Sequence, residues 1–182
     1  MNPFTTRARR SRFLAAALCL LHGFSWSCAF PTTDGPGAPG SRQVSSLPDF
    51  SLTTLTGETV SSQDYDQKIL VVNFWATWCT PCVYEIPHLN DLYRDFGSKG
   101  VEILGISMDS GDHGEVRRFM RRHRIKYPVV VGAPSVGDDF GGVRAIPTTF
   151  IVDQQGEIVK RYDGFRPAYM KDTRRTIEEL LG

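Results

Sequence analysis

The sequence predicts an α/β fold, a central mixed β-sheet flanked by helices, with a β-hairpin extension at its amino-terminal end. Three observations support this fold class. Continuously apolar strands alternate with amphipathic helices, a glycine turn divides an early strand-like segment, and the chain closes with a hairpin followed by a helix.

The first half of the domain supplies the hairpin and two central strands. Residues 49–60 read as a hairpin with its turn at Thr56-Gly57. Residues 68–75 (KILVVNFW) form an apolar, β-branched run that is typical of a strand buried on both faces. A helix is predicted from Cys79 to about Phe96, with Gly97 just past its end, and residues 101–108 are the next buried strand.

The second half completes the sheet. A second amphipathic helix is predicted from Asp112 to Arg124, with Val116, Phe119 and Met120 on its apolar face. Three strands and a final helix follow, and the sequence places them at residues 128–131, 148–153 and 157–164 and around residues 170–180.

The amino-terminal segment reads as an export signal. A basic stretch with four arginines and no acidic residue precedes a short apolar run, so residues 1–29 fit a cleaved signal peptide, with cleavage before Phe30 or Cys28. An uncleaved membrane anchor and lipidation at Cys28 are the alternatives. Residues 30–43 are a flexible linker rich in Pro and Gly, and residues 44–182 form one domain.

Charge argues against nucleic acid as a partner. The whole chain has a net charge of +1, but loss of residues 1–29 leaves 17 basic against 20 acidic residues. The mature protein is therefore mildly acidic. The basic cluster on the second predicted helix reads as its solvated side, with a docking surface for an acidic partner as the alternative; it comprises Arg117, Arg118, Arg121, Arg122, His123 and Arg124.

Two cysteines carry the predicted chemistry. Cys79 and Cys82, in WCTPC, are the two of the four that lie outside the export segment, and they stand where a buried strand passes into a helix. A helix amino terminus favours a thiolate, which is the nucleophile in disulfide exchange. The first cysteine is usually the more exposed, so Cys79 is expected to attack and Cys82 to resolve. Half of a metal site and a pair of inert buried thiols are the alternatives.

Pro147 gives a second signal, because a proline just before a strand is compatible with a cis peptide bond. A strand-initiating trans proline is the alternative interpretation. In combination with the C-x-x-C pair, the cis form is expected.

The segments NFWATWCTPC and IPTTF, with LPDFSLTTLTGETVSSQDY before them, resemble the thioredoxin superfamily and its exported TlpA/ResA-like branch over about residues 46–182. The resemblance implies a thioredoxin fold, redox-active Cys79 and Cys82, and a cis Pro147 facing them, with the Ile146 backbone pairing with substrate. Trp75 and Trp78 match aromatic residues at the rim of the site, although a core role for Trp75 is equally compatible. The substrate-binding residues expected on this basis are Trp78, Thr80, Pro81, Ile146 and Pro147.

The resemblance also points to Glu85. Cytoplasmic thioredoxins carry a buried aspartate where this chain has Asn73, and an amide cannot shuttle a proton. Glu85 lies three residues after Cys82 on the same helix face, and in the ResA-like branch a glutamate at this position moves protons during exchange. Burial would raise its pKa, whereas a surface glutamate would have no such role.

The expected function is reduction of disulfides in exported proteins, in cytochrome c maturation or copper-site assembly. A membrane thiol carrier would supply the electrons, at the periplasmic or other extracytoplasmic face of the membrane. The protein is expected to act as a monomer, without a cofactor other than the Cys79–Cys82 disulfide and without a bound metal. A copper carrier using the two thiols and a thiol peroxidase are the alternatives.

Overall fold

The structure is a computed structural model that describes residues 44–111, 113–132 and 134–182. The predicted export segment, residues 1–29, and the predicted linker, residues 30–43, lie outside the described residues. The strands are β1 (Ser51–Thr53), β2 (Thr59–Ser61), β3 (Ile69–Trp75), β4 (Val101–Ser107), β5 (Val129–Val131), β6 (Thr148–Val152) and β7 (Ile158–Asp163). The helices are α1 (Thr80–Phe96), α2 (His113–His123), α3 (Pro134–Asp139) and α4 (Pro167–Leu181).

A five-stranded mixed sheet forms the centre, in the order β5-β4-β3-β6-β7. Strands β3, β4 and β5 are parallel, whereas β6 runs antiparallel to β3 and pairs with β7. All seven residues of β3 are buried, as the apolar run predicts for a strand covered on both faces. The α/β fold class and the position of β3 at the centre of the sheet are confirmed.

Two core layers lie on opposite faces of this sheet. The first joins alternate residues of β3 to the apolar sides of α1, α2 and α4, through residues such as Leu89, Phe119 and Ile177. The second contains the other residues of β3 together with Phe140 and Phe150, and hairpin residues pack against it. Successive side chains of β3 point to opposite faces of the sheet, so this strand contributes to both core layers.

The amino-terminal hairpin is confirmed, since β1 and β2 pair antiparallel around a turn in which Gly57 has φ of +94°. Its tip reaches the sheet, where the Leu55 N–H donates to the Val129 carbonyl at 3.3 Å. The hairpin is thus fixed beside the start of β5.

Local differences from the sequence expectations are few. Helix α3 was not expected, because six residues are too short to show a helical period. The end of α1 also differs. The chain continues past Gly97 into a 3₁₀ turn, and Gly100 is the residue with a left-handed backbone, at φ of +87°.

Candidate active site

The amino terminus of α1 holds the two cysteines, directly after β3. Cys79 is the residue that caps the helix, and its Sγ accepts the Cys82 backbone N–H at 3.3 Å. Pro81 occupies the first turn, where a missing N–H leaves no intrahelical bond unmade. The two sulfurs form a disulfide with an S–S length of 2.00 Å and a Cα–Cα distance of 5.3 Å.

Position in the helix, more than exposure, distinguishes the two sulfurs. Cys79 is 4% exposed and Cys82 is 2% exposed, so both are buried and Cys79 is the more exposed by a small margin only. Cys79, however, lies at the positive end of the helix dipole and already accepts one backbone N–H. A thiolate at Cys79 would be stabilised by the same groups.

The rim of the site is aromatic on one side. Trp78 is 70% exposed next to Cys79, while Thr80 and Pro81 are exposed between the cysteines. Trp75 is only 1% exposed and stacks on Phe119 with ring centroids 5.1 Å apart. Trp75 is therefore a core residue, and Trp78 alone of the two tryptophans lies at the rim.

Asp109 anchors the loop that leads into the cysteines. Its carboxylate accepts the Thr77 N–H at 3.0 Å and the Thr77 hydroxyl at 2.6 Å, and it also accepts the Ser107 hydroxyl at 2.7 Å. These bonds connect the end of β4 to the segment between β3 and α1. The sequence analysis did not identify this residue.

A buried carboxyl group lies on α1 one turn beyond Cys82. Glu85 is 1% exposed, and its two carboxyl oxygens accept separate hydrogen bonds. Asn73 Nδ2 donates to Oε2 at 2.9 Å, and the Thr149 hydroxyl donates to Oε1 at 2.8 Å. Asn73 Nδ2 also donates to the Thr149 hydroxyl oxygen at 2.9 Å, which closes the three side chains into a ring of bonds.

The strand register explains why these three residues meet. Asn73 on β3 is paired directly with Thr149 on β6, so their side chains are neighbours on one face of the sheet. That face is the one covered by α1, where Glu85 points inward. The structure thus rejects the surface alternative for Glu85.

Burial raises the pKa of Glu85 to about 7, and the hydrogen bonds from Thr149 and Asn73 oppose that rise in part. The Thr149 hydroxyl is suited to both protonation states. It donates to the carboxylate, and after rotation its oxygen can accept from the carboxylic acid. Glu85 can therefore gain and lose a proton near neutral pH without leaving a buried oxygen unpaired.

Pro147 begins the strand that carries Thr149. The Ile146–Pro147 peptide bond is cis, as expected, and Pro147 is buried. The Pro147 carbonyl accepts the Gly164 N–H at 2.7 Å. Within the described residues, neither the N–H nor the carbonyl of Ile146 hydrogen-bonds to another main-chain group.

Within residues 44–111, 113–132 and 134–182, no group of three or more His, Cys, Asp or Glu side chains is arranged to hold a metal ion. The same part of the chain contains no helix with the length and apolar character needed to cross a bilayer.

Sequence reasoning identified both cysteines, Glu85 and Pro147, but missed the supporting roles of Asn73, Thr149 and Asp109. A signal for the first two was present, since Asn73 is the one polar residue of the buried strand β3 and Thr149 is one of two threonines in the buried strand β6. Their partnership needs the register of β3 against β6, which spacing along the chain does not reveal.

Comparisons with known proteins agree with this geometry. The AhpC/TSA family matches residues 45–161. The thiol–disulfide oxidoreductase ResA of Bacillus thuringiensis subsp. konkukian is 33% identical over 134 residues, which cover 74% of this chain and 73% of the relative. The ResA of Halalkalibacterium halodurans is 30% identical over 86% of this chain and 89% of its own length.

A solved structure shows the same fold. The thiol:disulfide interchange protein of the thioredoxin family from Chlorobium tepidum superposes with a TM-score of 0.68 at 32% identity, over 76% of this chain and 97% of that protein. The family match at residues 45–161 spans β3, α1 and the two cysteines. The chain therefore belongs to the AhpC/TSA family of the thioredoxin superfamily and is a thiol–disulfide oxidoreductase of the ResA type.

Proposed function

We propose that this protein reduces disulfides in exported proteins, with cytochrome c maturation or copper-site assembly as its task. The observation that carries the proposal is the Cys79–Cys82 pair at the amino terminus of α1, above the buried carboxyl of Glu85. In the reduced protein, this arrangement would favour a Cys79 thiolate close to a carboxyl group that can exchange protons on the same helix.

The reaction begins from the reduced protein. The Cys79 thiolate attacks one sulfur of the substrate disulfide, a mixed disulfide forms, and the second substrate sulfur leaves as a thiolate. Cys82 then attacks the Cys79 sulfur and releases the first substrate sulfur. Two electrons pass to the substrate, and the product is the intramolecular disulfide present in the structure.

Glu85 serves as the proton-transfer group of this cycle. It accepts the proton of Cys82 as that thiol becomes a nucleophile and returns it when the pair is reduced again. Its position one turn after Cys82, its burial and its pKa near 7 support this role.

The substrate chain would lie over Pro147. The main-chain groups of Ile146, which bond to no other main-chain group of the described residues, could pair with an extended segment, in the manner of strand addition, while Trp78, Thr80 and Pro81 contact its flanks. The reaction would take place at the extracytoplasmic face, with a membrane thiol carrier returning electrons to the cysteines. The predicted export segment at residues 1–29 supports that location.

The decisive experiment is trapping. With Cys82→Ser, the mixed disulfide between Cys79 and a substrate should persist, whereas Cys79→Ser should trap nothing. An oxidised peptide that contains the C-x-x-C-H haem-attachment sequence tests the role in cytochrome c maturation. An oxidised peptide from a copper site tests the role in copper-site assembly. The opposite trapping pattern would reverse the two cysteine roles.

The redox potential of the Cys79–Cys82 pair determines whether the protein acts as a reductant or as an oxidant. Equilibration against glutathione and dithiothreitol buffers should give a value more negative than about −200 mV, as for reductants of this kind. A value near that of DsbA, about −120 mV, would make the protein an oxidant. Rapid peroxide consumption, or tight stoichiometric Cu(I) binding without disulfide reduction, would favour the peroxidase or the copper carrier instead.

A further inference from the structure

A basic cleft lies at the carboxyl end of α2 and encloses a cavity of about 440 Å³. Four cationic side chains line it, namely Arg117, Arg121, Arg124 and Lys126, and no carboxylate does. None of the four forms an ion pair with another described residue. The cleft therefore presents net positive charge, which Glu58 in the adjoining cavity offsets only in part.

The floor of the basic cleft is apolar. Leu55 from the hairpin turn, Met120 from α2 and Ile125 from the following loop line it, and all three are half-buried. Arg117 Nη1 donates to the Leu55 carbonyl at 2.9 Å, so the hairpin tip and the helix are joined at this point. A bound group would meet apolar surface in the centre and cations at the edge.

The loop wall of the basic cleft is held in place before any partner binds. The Asn90 amide donates to the Arg124 carbonyl at 3.0 Å, and its oxygen accepts the Lys126 N–H at 2.9 Å. The Ile125 N–H closes the end of α2 on the Met120 carbonyl at 3.0 Å. A rigid wall reduces the ordering cost of binding.

Arg124 occupies a position where glycine is usual. It follows the last residue of α2 with a left-handed backbone, at φ of +54°, which is unfavourable for a residue with a Cβ. The side chain at this strained position lines the basic cleft. An arginine at a position where glycine would be more stable is compatible with a role for its charge.

The basic cleft and the disulfide lie at opposite edges of the sheet. Cys79 follows the carboxyl end of β3, whereas the loop at residues 124–128 enters the amino end of β5, and β3, β4 and β5 are parallel. The 11 residues of α2 connect the two edges and span about 16 Å. A molecule in the basic cleft would leave the sulfurs accessible.

We propose that the basic cleft is a docking site for an acidic, partly apolar segment of a partner polypeptide, which binds while the disulfide reacts at the other edge. Charge complementarity selects the acidic side chains, and the floor selects apolar ones between them. The site would bring a partner to the enzyme without blocking the cysteines. This proposal does not depend on the direction of the redox reaction.

The shape of the basic cleft favours a polypeptide over a lipid surface. A peripheral membrane site presents protruding apolar side chains that insert between headgroups. The exposed large apolar residues of the described chain are Trp78, Tyr84 and Val159, and none of them lines the cleft. A concave surface with a recessed floor fits an extended segment.

Fluorescence anisotropy of a labelled peptide in which glutamate alternates with leucine tests the proposal on the full chain. Arg121→Glu should weaken binding about fivefold to tenfold at low salt, because it removes one attraction and adds one repulsion. Arg122→Glu is the matched control, since this neighbour on α2 is exposed but does not line the basic cleft, and it should change binding less than about twofold. Two changes to the peptide should also weaken binding: replacement of its glutamates by glutamine, and replacement of its leucines by serine.

Equal losses with Arg121→Glu and Arg122→Glu would overturn the proposal, because they would show attraction to the whole basic helix. So would binding to phosphatidylglycerol vesicles that depends on Arg121 while the peptide fails to bind. Both variants should reduce a small aromatic disulfide at the wild-type rate. If the wild-type protein does not reduce the small disulfide, the proposed function is refuted, but the peptide-binding result is unaffected.

Discussion

Replacement of Glu85 by glutamine should change how the stability of the oxidised protein depends on pH. The pKa of this carboxyl in the folded protein is about 7, against an ordinary value of 4.5. Because one unit corresponds to about 1.4 kcal/mol, the shift is equivalent to about 3 kcal/mol. Below pH 4.5 the group is protonated in both the folded and the unfolded states, and it makes no difference there.

Between pH 4.5 and 7 the unfolded chain releases this proton while the folded protein retains it. The wild-type protein therefore loses stability as the pH rises through this window, by about 3 kcal/mol in total. A glutamine at this position carries no proton to release. The free energy of unfolding of Glu85→Gln minus that of the wild type should thus increase by about 3 kcal/mol from acidic to mildly alkaline pH.

Urea unfolding followed by circular dichroism, at a series of pH values with the disulfide intact, measures this difference. A constant offset, from altered bonds to Asn73 and Thr149, does not affect the conclusion, since only the pH dependence is compared. Glu178→Gln removes an exposed carboxyl on α4 and is the control for a general charge effect. A difference that stays flat across the window would refute the buried, proton-binding assignment of Glu85.

The reduced protein gives a second test of the same residue. If Glu85 exchanges a proton with Cys82 in the reaction, the pH profile of thiol alkylation should change shape in Glu85→Gln. An unaltered profile, together with the predicted change in unfolding free energy, would show that Glu85 titrates without taking part in thiol chemistry.

Substitutions at Thr149, Asp109 and Gly105 test the hydrogen bonds and the packing around the site. Thr149→Val should raise the pKa of Glu85 further by removing a hydrogen bond to the carboxylate, while Thr149→Ser should preserve it; equal unfolding-versus-pH curves for the two would contradict this. Asp109→Ala should lower stability by about 2 kcal/mol and slow mixed-disulfide trapping, because Thr77 loses its acceptor; unchanged trapping would make Asp109 purely structural. Gly105→Ala should lower the free energy of unfolding by about 1–3 kcal/mol, since the added Cβ would lie 3.0 Å from the Trp75 indole nitrogen, whereas at Gly97 the added Cβ would only make ordinary contact with the Tyr93 ring at 4.0 Å, so Gly97→Ala should be neutral or stabilising; similar values for the two glycine variants would contradict the packing argument.

Local patterns were sufficient to predict most of the fold. The run of β3, which is apolar except at Asn73, and the helical spacing of α1 each follow from short-range physics, so their positions are confirmed to within a residue or two. Helix α3 could not be predicted, because its six residues make less than two turns and owe their conformation to packing of Val136 and Phe140 against the sheet. The export segment stays a prediction.

The residues of the active site also fall into those that the sequence predicts and those that it does not. Cys79, Cys82 and Pro147 are recognisable because their chemistry or backbone conformation is tied to a short motif. Glu85 was identified by its spacing on the helix together with the resemblance to the ResA-like branch, but the depth of its burial depends on how α1 packs on the sheet. Asn73 and Thr149, 76 positions apart, become partners only through strand pairing. Long-range register is the information that a single sequence does not display.

The retention of a buried carboxyl beside the disulfide is itself an argument for a proton role. An ionised carboxylate in this core is destabilised by desolvation, and the bonds from Asn73 and Thr149 offset only part of that cost, as the raised pKa shows. A leucine at position 85 would fit the apolar side of α1 and remove the cost, just as buried ion pairs elsewhere can be replaced by packed apolar residues with a gain in stability. A buried carboxyl at a position where an apolar side chain would be more stable is expected where function and stability conflict, as it is next to a reactive cysteine pair. Disulfide reduction consumes protons as well as electrons, and Glu85, a buried group whose pKa is raised to about 7, is suited to supply and recover a proton at neutral pH.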